Sequence, residues 1–460
     1  MQNRYIGDRS FYKKVLLVAI PIIIQNGITQ LVSLLDNIMV GAVGQIPMSG
    51  VAIANQLLFV FNLCVFGASS GAGIFTAQFH GSGDHGGVRH TFRFKLLVCL
   101  SLAALGCGVF LSFGKELLSL FLQGEGSPKD AALTLGYGLD YMRIMLLGLL
   151  PFAIANAYAT TLRECGQTVV PMTAGIAAVL TNLVLNWVLI FGHLGLPALG
   201  VRGAAIATVV SRYVELGVVA VWTHTHRREH PFIRGAYRSF RIPRQLLGRI
   251  AQKGLPLLAN EFLWATGMTF LNQCYTTCGL AVVPAINITE VIKNLTAVAH
   301  MAMGNAVGIL MGQLMGSGAG EQEVRSANRK LLTLSVLSAV VFGGVLAAMA
   351  PFFPKLYNVD GTVQAMATGL ILVGAVVMPF DAYALSTYFT LRSGGQTMVT
   401  FLFDSCFVWV VMAPIAFCLS RFTALPIIPL YAMVRSTEGL KAILGAWMIS
   451  KGKWIRNLTQ

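Results

Sequence analysis

Apolar residues run along this chain in long blocks separated by short polar connections. Twelve blocks are long enough to cross a bilayer, at roughly 14–43, 50–79, 92–123, 131–161, 168–192, 199–223, 250–279, 284–314, 330–352, 362–390, 397–420 and 425–449. A spanning helix needs ~20 predominantly apolar residues. Several blocks exceed that, which predicts tilted helices or helices that protrude beyond the bilayer. The expectation is an all-α integral membrane protein with twelve transmembrane helices. The first block does not read as a cleavable signal, because it is too long and carries Pro21, Gln25, Asn26 and Asp36.

The pattern repeats. GAGIFTAQFHGSGD (71–84) recurs as AVGILMGQLMGSGA (306–319), sharing Gly73/Gly308, Ile74/Ile309, Gln78/Gln313, Gly81/Gly316, Ser82/Ser317 and Gly83/Gly318 at an offset of 235. TLRECGQT (161–168) recurs as TLRSGGQT (390–397), and Pro21 has Pro256 as its counterpart. Similar offsets in the same order mean that one half was duplicated. Six helices per half is an even number, so both halves enter the membrane the same way round and the repeat is parallel. This gives two pseudo-symmetric six-helix lobes, an N-lobe (1–223) and a C-lobe (250–460), joined by a basic cytoplasmic linker (224–249). Glycine in the two GSG stretches is expected to break helices 2 and 8 at the membrane surface, and Gln78 and Gln313 to act as packing glue or helix caps. A duplicated, strongly apolar chain is the signature of a two-lobed secondary transporter.

Composition supports the membrane reading. The 460 residues are 55% apolar and 11% charged, whereas soluble domains carry about 25% charged residues. The net charge of +15 does not require nucleic acid, because its distribution is that of a topology signal. With the N-terminus inside, 23 of the 33 Lys and Arg fall on inner connections, against Lys115, Lys129, Arg202, Lys355 and Arg421 outside. This asymmetry places both termini in the cytoplasm of a multi-pass cell-membrane protein. The linker holds the longest polar run, with an amphipathic, membrane-surface part near 240–250. Its His224, His226 and His230 read as a solvated basic loop rather than a zinc site. The eight cysteines read as small buried thiols. No G-x-x-x-x-G-K-[ST] string occurs, so transport is expected to be driven by an ion gradient rather than by nucleotide hydrolysis.

Intramembrane carboxylates carry the candidate chemistry, since charge there is costly and by default functional. Asp140, Glu215, Glu290 and Glu438 each have a cation three residues away (Arg143, Arg212, Lys293, and Arg435 with Lys441), and such pairs share a helix face. Glu290–Lys293 is the least easily dismissed as structural. Asp36, Glu261, Asp381 and Asp404 have no cation within four residues. They must find a partner across the bundle, face water or sit protonated. Such a group can hold a proton and a cation in turn.

P-x-x-x-Q…LLDNIMVG in helix 1, GIFTAQFHGSGD after helix 2, TLRECGQT before helix 5, NLVLNWVLIFG in helix 5 and GVRGAAIATVVSRYVE in helix 6 together resemble the multidrug and toxic compound extrusion (MATE) family. The likeness covers nearly the whole chain and rests on the order of the motifs. It implies an antiporter that expels organic cations against inward flow of H⁺ or Na⁺. By that likeness Asp36 is the ion-coupling carboxylate of helix 1, Asn182 and Thr208 line the same N-lobe pocket, and Na⁺ could sit at Asp36, Asn182 and Thr208. Asn186 falls where several members carry aspartate, which leaves this pocket one carboxylate short. Asp381 matches the family's helix 10 aspartate, Glu261 stands about a turn from a cation-coupling glutamate of helix 7, and Asp404 reads as cavity lining.

The expected substrates are small amphipathic organic cations. Membrane lipids surround the chain, no cofactor is implied beyond H⁺ or Na⁺, and a monomer is expected. A lipid-linked oligosaccharide flippase or metabolite exporter of the same superfamily is the alternative. Such flippases handle a pyrophosphate on arginines, whereas intramembrane acids here outnumber bases by eight to five. A membrane prenyl or acyl transferase would need a polar catalytic cluster such as DxxD or HxxxxD, and none appears.

Overall fold

The structure, a computed structural model, describes residues 5–122, 127–279, 281–357 and 359–459. Among these, twelve long helices account for the apolar blocks: α1 (Arg9–Gly41), α2 (Gln45–Gly81), α3 (His85–Ser119), α4 (Pro128–Glu164), α5 (Val169–Phe191), α6 (Val201–Thr225), α7 (Arg244–Thr276), α8 (Val282–Gly316), α9 (Glu321–Met349), α10 (Gly361–Ser393), α11 (Thr397–Phe422) and α12 (Ile427–Ser450). At 37 residues, α4 is about 55 Å long, nearly twice the ~30 Å hydrocarbon core. That length leaves room for the helix to tilt or to extend beyond a bilayer. Ten of the twelve are long and apolar enough to cross a membrane by length and composition. The other two are diluted by polar residues: α7 by Asn260, Glu261, Asn272 and Gln273, and α12 by Arg435, Glu438 and Lys441.

The helices gather into two compact units. One comprises the described residues of Met1–Ile23, Ala77–Asp84 and Ala251–Gln460; the other comprises Ile24–Thr76 and His85–Ile250. In the first, Val15, Val18, Ala19 and Ile22 from the start of α1 pack with Met303, Met311, Tyr388 and Phe389. A second cluster at Leu271, Tyr275, Leu430 and Tyr431 completes that core. The other unit is built around Phe61, Tyr141, Met142 and Leu149. Interior prolines recur at matched places, Pro21 and Pro256 in α1 and α7, Pro151 and Pro379 in α4 and α10. Each removes one backbone donor from the helix ladder.

The repeated motifs are helix terminations. Gly83 and Gly318 adopt φ of +75° and +78°, and Gly166 and Gly395 +84° and +73°. A residue with a Cβ is strained there. The glycines that end α2 and α8 serve a different purpose. A Cβ on Gly81 would land on the Gln313 carbonyl, and one on Gly316 on the Gln78 carbonyl. The two helix ends therefore cross reciprocally at backbone contact, which explains why Gln-x-x-Gly survived in both copies. Gln78 also anchors the chain's end, donating to the Ser393 carbonyl (2.9 Å) and the Arg456 carbonyl (3.1 Å) and accepting from Leu458 N (2.6 Å).

Several charges expected on connections are helical. Arg93 and Lys95 lie in α3, Arg163 in the last turn of α4 and Arg392 in that of α10. Lys95 is fully buried, paired with Glu164 and within 3.4 Å of Thr160 and Thr161. Gly73 makes room for that carboxylate, because a Cβ there would collide with Glu164.

Candidate functional site

Four of the candidate residues come together in one unit. Asn182 and Asn186 lie four apart on α5, and so on one helix face, which is turned toward Asp36 of α1 and Thr208 of α6. The Asn186 amide donates to Asp36 and to Asn182 Oδ1 (3.1 Å). Asn182 donates to Thr208 Oγ1 (3.1 Å), whose hydroxyl donates to the Ala204 carbonyl (3.0 Å). Asn186 is fully buried and Asp36 partly exposed. Both amide hydrogens of Asn186 are used, and its Oδ1 is buried without a donor among the described residues. Tyr141 of α4 stands beside Asp36, Thr208 and Arg212 and donates to Asn55 Oδ1 (3.2 Å). Asp36 forms no ion pair among the described residues. Its side-chain hydrogen-bond partner there is the Asn186 amide rather than a cation.

The second cluster, in the other unit, is built on α12. Lys441 Nζ reaches Asp404 Oδ1 (2.7 Å), and Asn260 of α7 donates to Asp404 Oδ2 (3.1 Å). Arg435 pairs with Asp381 of α10, with Glu438 at 4.0 Å. Glu261, next to Asn260, has Arg392 and Asp404 as its charged neighbours. Asp381 and Asp404, isolated from cations in sequence, are therefore paired across the bundle. Asp404 lies in a π turn (Leu402–Cys406), followed by a second at Val408–Met412; such turns are frequent at functional sites. Asn260 Oδ1 accepts from the Ser405 hydroxyl (2.7 Å), which fixes the wall of this turn.

Local pairing held in part. Glu290 pairs with Lys293 at 2.5 Å and Glu215 with Arg212 at 3.5 Å. Asp140 does not pair with Arg143; it binds Arg202 of α6 (2.8 Å). Glu438 shares its two sequence neighbours with Asp381 and Asp404, so it belongs to a network rather than a local pair. No group of three or more metal-ligating side chains occurs among the described residues.

Sequence reasoning missed Asn260, Tyr141, Lys95–Glu164 and the cross-bundle roles of Arg435 and Lys441. Two signals were available. Asn260 stands four after Pro256 as Gln25 stands four after Pro21, and Gln25 accepts from Arg163 (2.9 Å). Arg-x-x-Glu recurs as Arg212–Glu215 and Arg435–Glu438. In α6 the arginine lies over the Phe152 ring, 4.5 Å from its centre, whereas in α12 it meets Asp381. Each arginine keeps its own glutamate nearby; on a neighbouring helix one meets a carboxylate and the other an aromatic ring.

Comparison with known proteins places the chain in a family. The chain is 23% identical over 448 residues to a probable multidrug resistance protein NorM of Thermotoga maritima, covering 96% of this chain and 93% of that one. It is 24% identical to the multidrug resistance protein PmpM of Pseudomonas aeruginosa, covering 91% and 86%. Among solved structures, an outward-facing multidrug resistance MATE family transporter of the MOP superfamily superposes with a TM-score of 0.85 at 20% identity, over 98% of this chain and 97% of that one. A MOP superfamily transporter from Pyrococcus furiosus, described as having a binding pocket of reverse polarity, gives 0.84 at 20%, over 98% and 97%. At such identities the superpositions establish the fold. The MatE family model matches residues 21–188 and again 256–418. Matched once in each half, the chain belongs to the MatE family: it is a multi-pass membrane transporter of that family, and not an enzyme.

Proposed function

We propose that the protein is a multidrug efflux antiporter that exports amphipathic organic cations in exchange for H⁺ or Na⁺ by alternating access, with Asp36 as the coupling carboxylate. The observation that carries this reading is Asp36 itself, a spanning-helix carboxylate hydrogen-bonded by Asn186 and without a basic partner among the described residues. Its negative charge is free to be neutralised by a proton, a sodium ion or a cationic substrate, and one carboxylate cannot strongly hold two of these at once. Exchange follows. The oxygen atoms of Asp36, Asn182, Asn186 and Thr208 form a hard donor set suited to an alkali cation, and the unpartnered Asn186 Oδ1 is available to it. The second cluster, with Glu261, Asp381, Asp404 and Glu438 against Arg435, Lys441 and Arg392, would tune affinity through charges already in partial balance. The relatives' names, multidrug resistance proteins, support the same substrate class. The bias of Lys and Arg supports a cell-membrane location with both ends cytoplasmic.

A second reading, an exporter of anionic lipid-linked or metabolite substrates, draws on Arg435 and Lys441 at the acidic cluster. Purified protein in liposomes, loaded with an ethidium-like cation and given ΔpH and ΔNa⁺ separately, decides between them. Cation movement driven by one gradient is expected. If neither gradient moves cations, the antiporter reading fails.

A further inference from the structure

The segment between α6 and α7 is folded rather than a solvated linker. Pro231–Ile233 forms a 3₁₀ turn, and Phe232, Ile233 and Ala236 are buried. Two arginines of α3 hold it by its carbonyls. Arg89 donates to Phe232 O (3.1 Å) and Pro231 O (3.2 Å), and Arg93 to Ala236 O (2.8 Å) and Gly235 O (2.8 Å). The fold leaves an open cleft of about 700 Å³ lined by His224, Arg227, Arg228, Arg234, Tyr237 and Arg238. Its aromatic wall is fixed: Tyr158 hydrogen-bonds both Tyr237 and His224 Nε2, the latter at 3.0 Å, and the His224 and Tyr237 rings stack at 5.9 Å. All four arginines are exposed, and none is in an ion pair among the described residues.

We propose that this cleft binds a phosphate group, supplied by the headgroup of an anionic membrane lipid. Guanidinium groups match phosphate oxygens in a fork that a lysine cannot reproduce, and all four cations here are arginine. Basic clusters beside a spanning helix attract anionic headgroups. Tyr237 and Phe240, both 44% exposed and edge-on at 6.3 Å, suit the headgroup level of a bilayer; a soluble phosphate would make no use of them. A topology signal accounts for the number of positive charges but requires no cleft, and none of the carbonyl bonds from Arg89 and Arg93 that shape it.

The test uses the full-length protein in neutral-detergent micelles, with thermal unfolding followed as phosphatidylglycerol, phosphatidylcholine or inorganic phosphate is added. Phosphatidylglycerol should stabilise the protein, and the other two should not. Joint substitution Arg227→Gln, Arg228→Gln, Arg234→Gln and Arg238→Gln should weaken the phosphatidylglycerol response about tenfold or more. Removing as many exposed charges elsewhere, by Arg9→Gln, Lys13→Gln, Lys14→Gln and Lys453→Gln, should leave it unchanged. An equal response in the two quadruple variants overturns the cleft, and stabilisation by inorganic phosphate as strong as by phosphatidylglycerol overturns the lipid. If the cleft variant does not fold, the single substitutions Arg228→Gln and Arg238→Gln are scored by native mass spectrometry, where undiminished phosphatidylglycerol retention refutes the proposal.

Discussion

Asp36→Asn separates charge from shape at the coupling site. The new amide keeps an oxygen where Asp36 accepts from Asn186, so the hydrogen bond and the packing of α1 against α5 persist. Only the negative charge is lost. A carboxylate and a monovalent cation about 4 Å apart attract by about 4 kcal/mol at an effective dielectric constant near 20. Desolvation offsets part of this, leaving about 1.5–3 kcal/mol, the range for a contact to a charged group, or roughly 10- to 100-fold in affinity. No cation is stranded by the change, because Asp36 forms no ion pair among the described residues, so melting in detergent should move little. Proteoliposomes under ΔpH or ΔNa⁺ should lose coupled cation transport, and substrate binding by fluorescence should weaken by the factor above. Coupled transport at the wild-type rate would refute the reasoning and move the coupling site to Glu261 and Asp381. A large drop in melting temperature would instead show that the charge holds the fold.

Lys441→Met strands Asp404, whose Oδ1 it contacts at 2.7 Å; a loss of about 3–5 kcal/mol is expected, with much of it recovered by adding Asp404→Leu, as read by thermal unfolding. Gly81→Leu or Gly316→Leu forces apart the reciprocal crossing of α2 and α8 and should cost about 1–3 kcal/mol, whereas Gly108→Ala, which meets open space, should be neutral or mildly stabilising. His230, buried with Nε2 unpartnered among the described residues, is held below the ordinary value of 6.5 by burial. The unfolded segment then binds a proton first, so stability present above about pH 6.5 is lost as the pH falls through that value toward the folded one. The hydrogen-exchange protection of 227–241, taken relative to the intrinsic exchange rate at each pH, should fall between pH 7.5 and 5.5, and His230→Phe should remove that dependence.

Helix number, the duplication and the turn glycines were readable because each follows from a local rule. Some twenty apolar residues must span, and a left-handed turn excludes side chains. The sequence also placed Asp36, Asn182, Asn186 and Thr208 in one pocket, through the four-residue spacing on α5 and the family likeness. The partners of the charges were readable only in part: Glu215 and Glu290 keep the cation three residues away. Asp140 sits three residues from Arg143 yet binds Arg202, and Glu438 sits between Arg435 and Lys441 yet shares both with Asp381 and Asp404. Helical neighbours three apart gain only about 0.2–0.5 kcal/mol, so any better-placed partner on another helix overrides them.

By its sequence alone this chain was bound to be a duplicated membrane protein with acids inside its spans, since spanning length, repeat and charge bias are properties of consecutive residues. Tertiary structure alone decided which acids are neutralised. Asp381 and Asp404 received cations from α12, while Asp36 received only the Asn186 amide. It also folded the basic segment after α6 into a cleft, because Arg89 and Arg93 lie more than a hundred residues before the carbonyls they hold. Such pairings depend on which helix faces which, and no local spacing encodes that.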